Sequence, residues 1–151
     1  MDLITTYLLP CLWAFCACIG FGIIFNIHGK GILLCGLGSS LGWFVYLLAL
    51  EFLGGDILAA FLAAMVIGAF SETMARIRRC PVTGYLQIAL LPLVPGAGVY
   101  HAMRYCVGGY NGLFTATLLH TIGFAAALSV GAMLATSILR SFRPRARWGG
   151  R

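Results

Sequence analysis

Cys80-Pro81-Val82-Thr83-Gly84-Tyr85-Leu86-Gln87-Ile88-Ala89-Leu90-Leu91-Pro92-Leu93-Val94-Pro95-Gly96-Ala97-Gly98-Val99-Tyr100 is apolar enough to enter a bilayer. Its second half nevertheless places two prolines and two glycines where a spanning helix should be continuous. Pro92 and Pro95 have no N–H to donate, so the carbonyls of Ile88 and Leu91 lose their partners in a regular α-helix. In hydrocarbon such groups need another partner, and broken helices of this kind are where transporters build their sites.

The composition around this stretch is that of a membrane protein. Of 151 residues, 61% are hydrophobic and 9% charged, with a mean hydropathy of +0.97. A soluble domain carries about 25% charged residues. A chain of this size cannot hide so much apolar surface from water, so it reads as a polytopic membrane protein. The net charge of +6 does not point to nucleic acid, because the basic residues sit between apolar spans and act as topology signals. Six cysteines form no CxxC pair and read as small packing residues. Met1-Asp2-Leu3-Ile4 lacks a basic leader region, so the first apolar segment is expected to be retained.

A spanning helix needs about 20 apolar residues. Counting outward from the broken stretch gives an all-α membrane bundle of about five transmembrane helices, the fourth broken by its Pro/Gly motif. The expected spans are 3–25, 32–53, 57–75, 81–107 and 113–139, forming a membrane domain over 1–139 with a basic cytoplasmic tail at 140–151. Turns at Asn26–Gly31, Gly54–Asp56 and Gly108–Gly112 separate them, and Arg76, Arg78 and Arg79 close the third. If the spans alternate, Lys30, these three arginines and Arg140, Arg143, Arg145, Arg147 and Arg151 share one side. Arg104 alone lies on the other, with Asp2, Glu51 and Asp56. That bias places the N-terminus outside and the C-terminus in the cytoplasm. A re-entrant fourth segment would put the tail opposite the Arg76–Arg79 loop and spoil it. Small residues repeat at four-residue spacing at Gly38/Gly42, Ala60/Ala64/Gly68 and Ala127/Gly131/Ala135, as close helix packing in lipid requires.

Little here suits catalysis. Four carboxylates and three histidines share no metal-ligand spacing, and there is no nucleophile elbow or Walker loop, so no catalytic residue, cofactor or metal site is expected. The broken segment carries the chemistry. A second half-helix starting near Pro95 would leave the N–H groups of Gly96, Ala97, Gly98 and Val99 without helical acceptors, at the positive end of a helix dipole. A carboxylate fits there, with Gly96 and Gly98 admitting it to the backbone and the Ile88 and Leu91 carbonyls meeting a cation. A Pro-kinked packing helix accounts for the same residues without a ligand. Gln87, one turn before the break, and Tyr100, just after it, complete the candidate site. Glu72 reads either as a local salt bridge with Arg76 or as a coupling residue. Thr117, His120 and Thr121 fall on one helical face, as an interhelical hydrogen-bond cluster or a polar pathway.

These residues carry a resemblance. Pro92-Leu93-Val94-Pro95-Gly96-Ala97-Gly98-Val99-Tyr100 resembles the Pro-Gly-rich motif of the threonine/serine exporter family, and of its C-terminal membrane domain in particular. Phe25-Asn26 before a short basic loop, Gly42-Trp43, and Ser71-Glu72 followed by arginines extend the likeness over roughly residues 20 to 139. That domain also occurs as a stand-alone small subunit, as in the bacterial succinate exporter pair. The resemblance implies secondary export of a small amino acid (threonine or serine) or a dicarboxylate such as succinate across the bacterial inner membrane. It also implies a larger partner subunit of the same family. A scaffold or assembly subunit that carries no solute itself is the alternative.

Overall fold

A computed structural model describes residues 7–26, 29–78 and 81–141. His28, Arg79, Cys80, the start of the first expected span and tail residues 142–151 lie outside the described residues. The described chain is all-helical: α1 (Leu9–Ile24), α2 (Lys30–Leu53), α3 (Asp56–Arg78), α4 (Val82–Leu90), a 3-10 turn (Leu91–Leu93), α5 (Gly96–Val107) and α6 (Asn111–Ser141). α2, α3 and α6 are each long and apolar enough to cross a membrane, as α4 and α5 are together. α1, with 16 residues, is shorter.

The helix ends follow local chemistry. Asn26 takes φ 58° just past α1, the left-handed conformation that asparagine tolerates best after glycine. Gly54 closes α2 at φ 63°, its N–H donating to Leu50 O. Asp56 then opens α3, where a carboxylate favours the positive helix end.

Contact pairs fix the direction of every pass. Gly36 lies against Phe15 and Gly22 against Ile32, so α1 and α2 are antiparallel. Gly42 receives Ile67 and Gly38 receives Phe70, so α2 and α3 are antiparallel as well. Along α3 and α6 the levels rise together: Ile57 beside Gly123, Phe61 and Ala64 beside Gly131, Gly68 beside Ala132 and Ala135. α3 and α6 are therefore parallel. The α4–α5 unit must carry the chain from the Arg76 end of α3 back to its Asp56 end. It bends by 52° at the break, a deflection and not a reversal. Among the described residues, α2, α3, the α4–α5 unit and α6 thus make four passes of alternating direction, with the shorter α1 antiparallel to α2 in the place expected for a fifth, and a re-entrant hairpin does not fit this geometry.

The small-residue stripes do the packing expected of them. A Cβ at Gly131 would lie 2.5 Å from Phe61 O, so α3 and α6 touch backbone to backbone. The main core gathers Ala60, Ala63, Ala64, Ile67, Ala89, Leu93, Phe124 and Leu128. A smaller cluster of Cys18, Cys35, Ala75, Tyr85 and Ile88 lies toward the Arg76 end.

Candidate functional site

The break is stitched by short-range bonds. The Leu91 N–H donates to Ile88 O, and the Cys18 thiol approaches the same oxygen at 3.5 Å. Val94 N–H donates to Leu91 O at 3.1 Å. Both carbonyls expected to be free for a cation are thus taken up by the 3-10 geometry, which re-pairs what proline removes. Beyond the turn, Gly96 N–H folds onto Val94 O at 2.7 Å and Val99 N–H donates to Pro95 O at 3.2 Å. The first-turn donors left to a ligand are those of Ala97 and Gly98.

These donors sit in the wall of a cavity of about 390 Å³, lined by Trp43, Tyr46, Asp56, residues 92–98, His120, Thr121 and Phe124. The volume falls at the small end of small-molecule sites. Four passes contribute. α2 supplies Trp43 and Tyr46, whose rings are 5.7 Å apart, and Phe124 of α6 stands 6.1 Å from Tyr46 edge-on. Tyr46 donates its hydroxyl to Asp56 Oδ1, and His120 Nε2 lies 3.7 Å from Asp56 Oδ2. Asp56 keeps acceptor capacity on Oδ2, because 3.7 Å is beyond a direct hydrogen bond. The cavity thus opposes a carboxylate to the positive end of α5, with an aromatic wall between them.

The expected site residues divide sharply. Pro92, Pro95, Gly96, Ala97, Gly98 and His120 line the cavity. Gln87 and Tyr100 are exposed and do not line it. Tyr100 instead packs its ring edge-on to His101 at 5.5 Å. Ile88 is buried beside Cys18 and Cys35, and Leu91 belongs to the turn without lining the cavity. The two glycines also part company. A Cβ at Gly96 would meet nothing within 4 Å, whereas one at Gly98 would come 2.5 Å from Thr121 Oγ1. Gly96 faces open space; Gly98 lets α5 rest on α6.

Glu72 is not brought to His120. It sits 16 residues from Asp56 along α3, about 24 Å away at 1.5 Å per residue. Buried at 3% exposure, it has Arg76 Nε 3.4 Å from Oε1 and Arg140 Nε 3.5 Å from Oε2. The local salt bridge read from the sequence is present, and Arg140 of α6 extends it. Thr117 gives its carbonyl to the Thr121 hydroxyl at 2.7 Å and does not line the cavity. Tyr46, Asp56 and Phe124 were missing from the sequence-derived site, Thr121 entered only as a member of the polar face with Thr117 and His120, and Trp43 figured only in the resemblance. Asp56 reads in sequence as the acid that starts a helix, which it also is.

A protein-family model described as "Threonine/Serine exporter, ThrE" matches residues 10–138, most of the chain. The chain belongs to the threonine/serine exporter family. It is a membrane protein of a transporter family, and the break with its cavity falls inside the matched region. An uncharacterized protein of Haemophilus influenzae is 26% identical over 117 residues, covering 78% of this chain and 36% of the relative. The chain therefore spans about a third of the relative's length. No solved structure matches it.

Proposed function

We propose that this exporter-family chain is a membrane subunit of a secondary exporter whose solute is a small zwitterionic amino acid such as threonine or serine. The observation that carries the reading is the pairing of opposite charges across one cavity. The Ala97 and Gly98 N–H groups take the solute carboxylate, and Asp56 Oδ2, beside the Trp43 and Tyr46 rings, takes its ammonium. A dicarboxylate would set its second carboxylate against Asp56, so the same geometry disfavours succinate. The subunit works with a larger member of the same family, a reading supported by a relative with nearly two thirds of its length beyond the match. It lies in the bacterial inner membrane with the Arg76 and Arg140 ends of α3 and α6 in the cytoplasm, as the basic residues favour.

The test is efflux of labelled threonine, serine and succinate from cells lacking the chain, complemented with it in the presence and absence of the larger subunit. Threonine or serine efflux restored only by both subunits supports the proposal. Restoration of succinate alone contradicts the zwitterion site. Co-purification with the larger subunit without any effect on efflux favours a scaffold.

A further inference from the structure

We propose that α4 is a gate over a buried polar route leading from the cavity to the Arg76 end, and that water fills this route when α4 swings at the Leu91–Pro95 break. The starting point is a set of poorly satisfied atoms. Among the described residues, the buried side-chain polar atoms without a well-formed hydrogen bond are Trp43 Nε1, Ser39 Oγ, Ser71 Oγ and Glu72 Oε2, with Ser39 Oγ beside the Cys18 thiol, a weak partner that itself turns to Ile88 O. Arg140 Nε approaches Glu72 Oε2 at 3.5 Å without making a hydrogen bond.

A helical hydroxyl has an easy fallback in the carbonyl three or four residues back. Thr73, Thr115, Thr121, Ser129 and Thr136 all use it. Ser39 and Ser71 do not, although both are at 1% exposure or less. Buried groups of this kind are normally satisfied by protein or water, so each calls for an explanation.

Their placement supplies one. Trp43 lines the cavity, and Ser39 lies one turn further along α2, toward the Arg76 end. The packing of Gly38 on Phe70 and of Cys35 with Ala75 puts Ser71 at nearly the level of Ser39, with Glu72 next to it. The unpaired atoms therefore run in order from the cavity toward the buried carboxylate. α4 covers the Ser39 and Ser71 levels of this line: Ala89 packs near Gly38 and with Ala63, Ala64 and Ile67, while Tyr85 and Ile88 pack with Cys35 and Ala75. Nine residues long and ending in the 3-10 turn, α4 is a short lever with a built-in pivot. Moving it would admit water to the level of Ser39 and Ser71, with Glu72 next in line on α3. The route does not depend on which solute the cavity takes.

The experiment reads water access directly. Ser71→Cys and, separately, Ser39→Cys in the full-length chain are treated with a small cationic, membrane-impermeant methanethiosulfonate in vesicles of each orientation. The labelled position is identified by mass spectrometry, and Arg78→Cys reports that the reagent reaches the Arg76 end. A lock is available, because a Cβ at Gly38 would stand 3.7 Å from Ala89 Cβ, within disulfide range. Introducing Gly38→Cys with Ala89→Cys tethers α4 to α2, the Phe70 ring shifting to make room. We expect the Ser71→Cys and Ser39→Cys thiols to be labelled from the Arg76 end, with labelling lost when the disulfide forms and regained on reduction. Absence of labelling in both variants while Arg78→Cys reacts overturns the route. Labelling unchanged by the disulfide overturns α4 as its gate.

Discussion

His120 Nε2 stands 3.7 Å from Asp56 Oδ2, so the first turn of α3 and the upper third of α6 meet through a carboxylate at the cavity wall. The two residues are 64 positions apart, and the parallel packing of α3 and α6 brings them to one level. With Tyr46 on the other carboxylate oxygen, Asp56 is held in place and still able to accept. If Asp56 holds the solute ammonium, Asp56→Asn removes a charge-assisted hydrogen bond of roughly 1.5–3 kcal/mol, which is about 10- to 150-fold in affinity. Threonine titration of the purified protein, alone and with the proposed larger subunit, measures it. An unchanged affinity places the ammonium elsewhere.

The contact between α3 and α6 rests on Gly131. Its Cβ would come 2.5 Å from Phe61 O and 3.4 Å from Met65 N, both backbone atoms that cannot rotate away. Gly131→Ala is expected to destabilise the bundle by about 1–3 kcal/mol, the cost of overpacking. Gly20 of α1 has nothing within 4 Å of the same position, so Gly20→Ala is expected to be neutral or stabilising by about 0.5–1 kcal/mol. Unfolding of the two variants in detergent, followed side by side, makes the comparison.

Glu72 predicts an asymmetry between its two arginines and itself. Arg76 and Arg140 have side chains 39% and 59% exposed, so loss of either one leaves the other beside the carboxylate and costs at most about 1 kcal/mol. Removing both leaves a buried carboxylate without a cation, at about 3–5 kcal/mol. Arg76 also donates to Leu139 O, and part of its effect comes from that bond. Unfolding of Arg76→Gln, Arg140→Gln and the double variant should therefore be strongly non-additive.

Gly98 and Thr121 form a testable pair. Gly98→Ala drives a methyl to 2.5 Å from Thr121 Oγ1 and should loosen α5 from α6. Thr121→Ala removes the atoms in the way, so the double variant is expected to recover stability lost in the single one. Failure of that rescue would mean that Gly98 serves something other than the α5–α6 contact.

The sequence made the architecture legible because its signals are local. Long apolar runs, the turn residues at Asn26, Gly54 and Gly108–Asn111, and the two prolines each speak for their own few residues. It also made seven of the cavity-lining residues legible, five of them because they belong to the break and two because they share one polar face of α6. What it missed depends on which face a residue presents and on what lies opposite. Gln87 is one turn from the break but on the outer face of α4. The Ile88 and Leu91 carbonyls lose α-helical partners, as proline dictates, and regain others through 3-10 bonds no pattern announces. Asp56 carries two roles, and its sequence neighbours advertise only the helix start.

If the broken segment lines the solute site, Gly96 is the position that shows it most directly. It lines the cavity and its Cβ direction meets nothing within 4 Å, so Gly96→Leu adds bulk at the cavity wall without disturbing a packed contact. With the larger subunit present and membrane insertion verified, labelled threonine efflux should fall to the level of cells lacking the chain. Wild-type efflux from a correctly inserted Gly96→Leu protein would contradict the account.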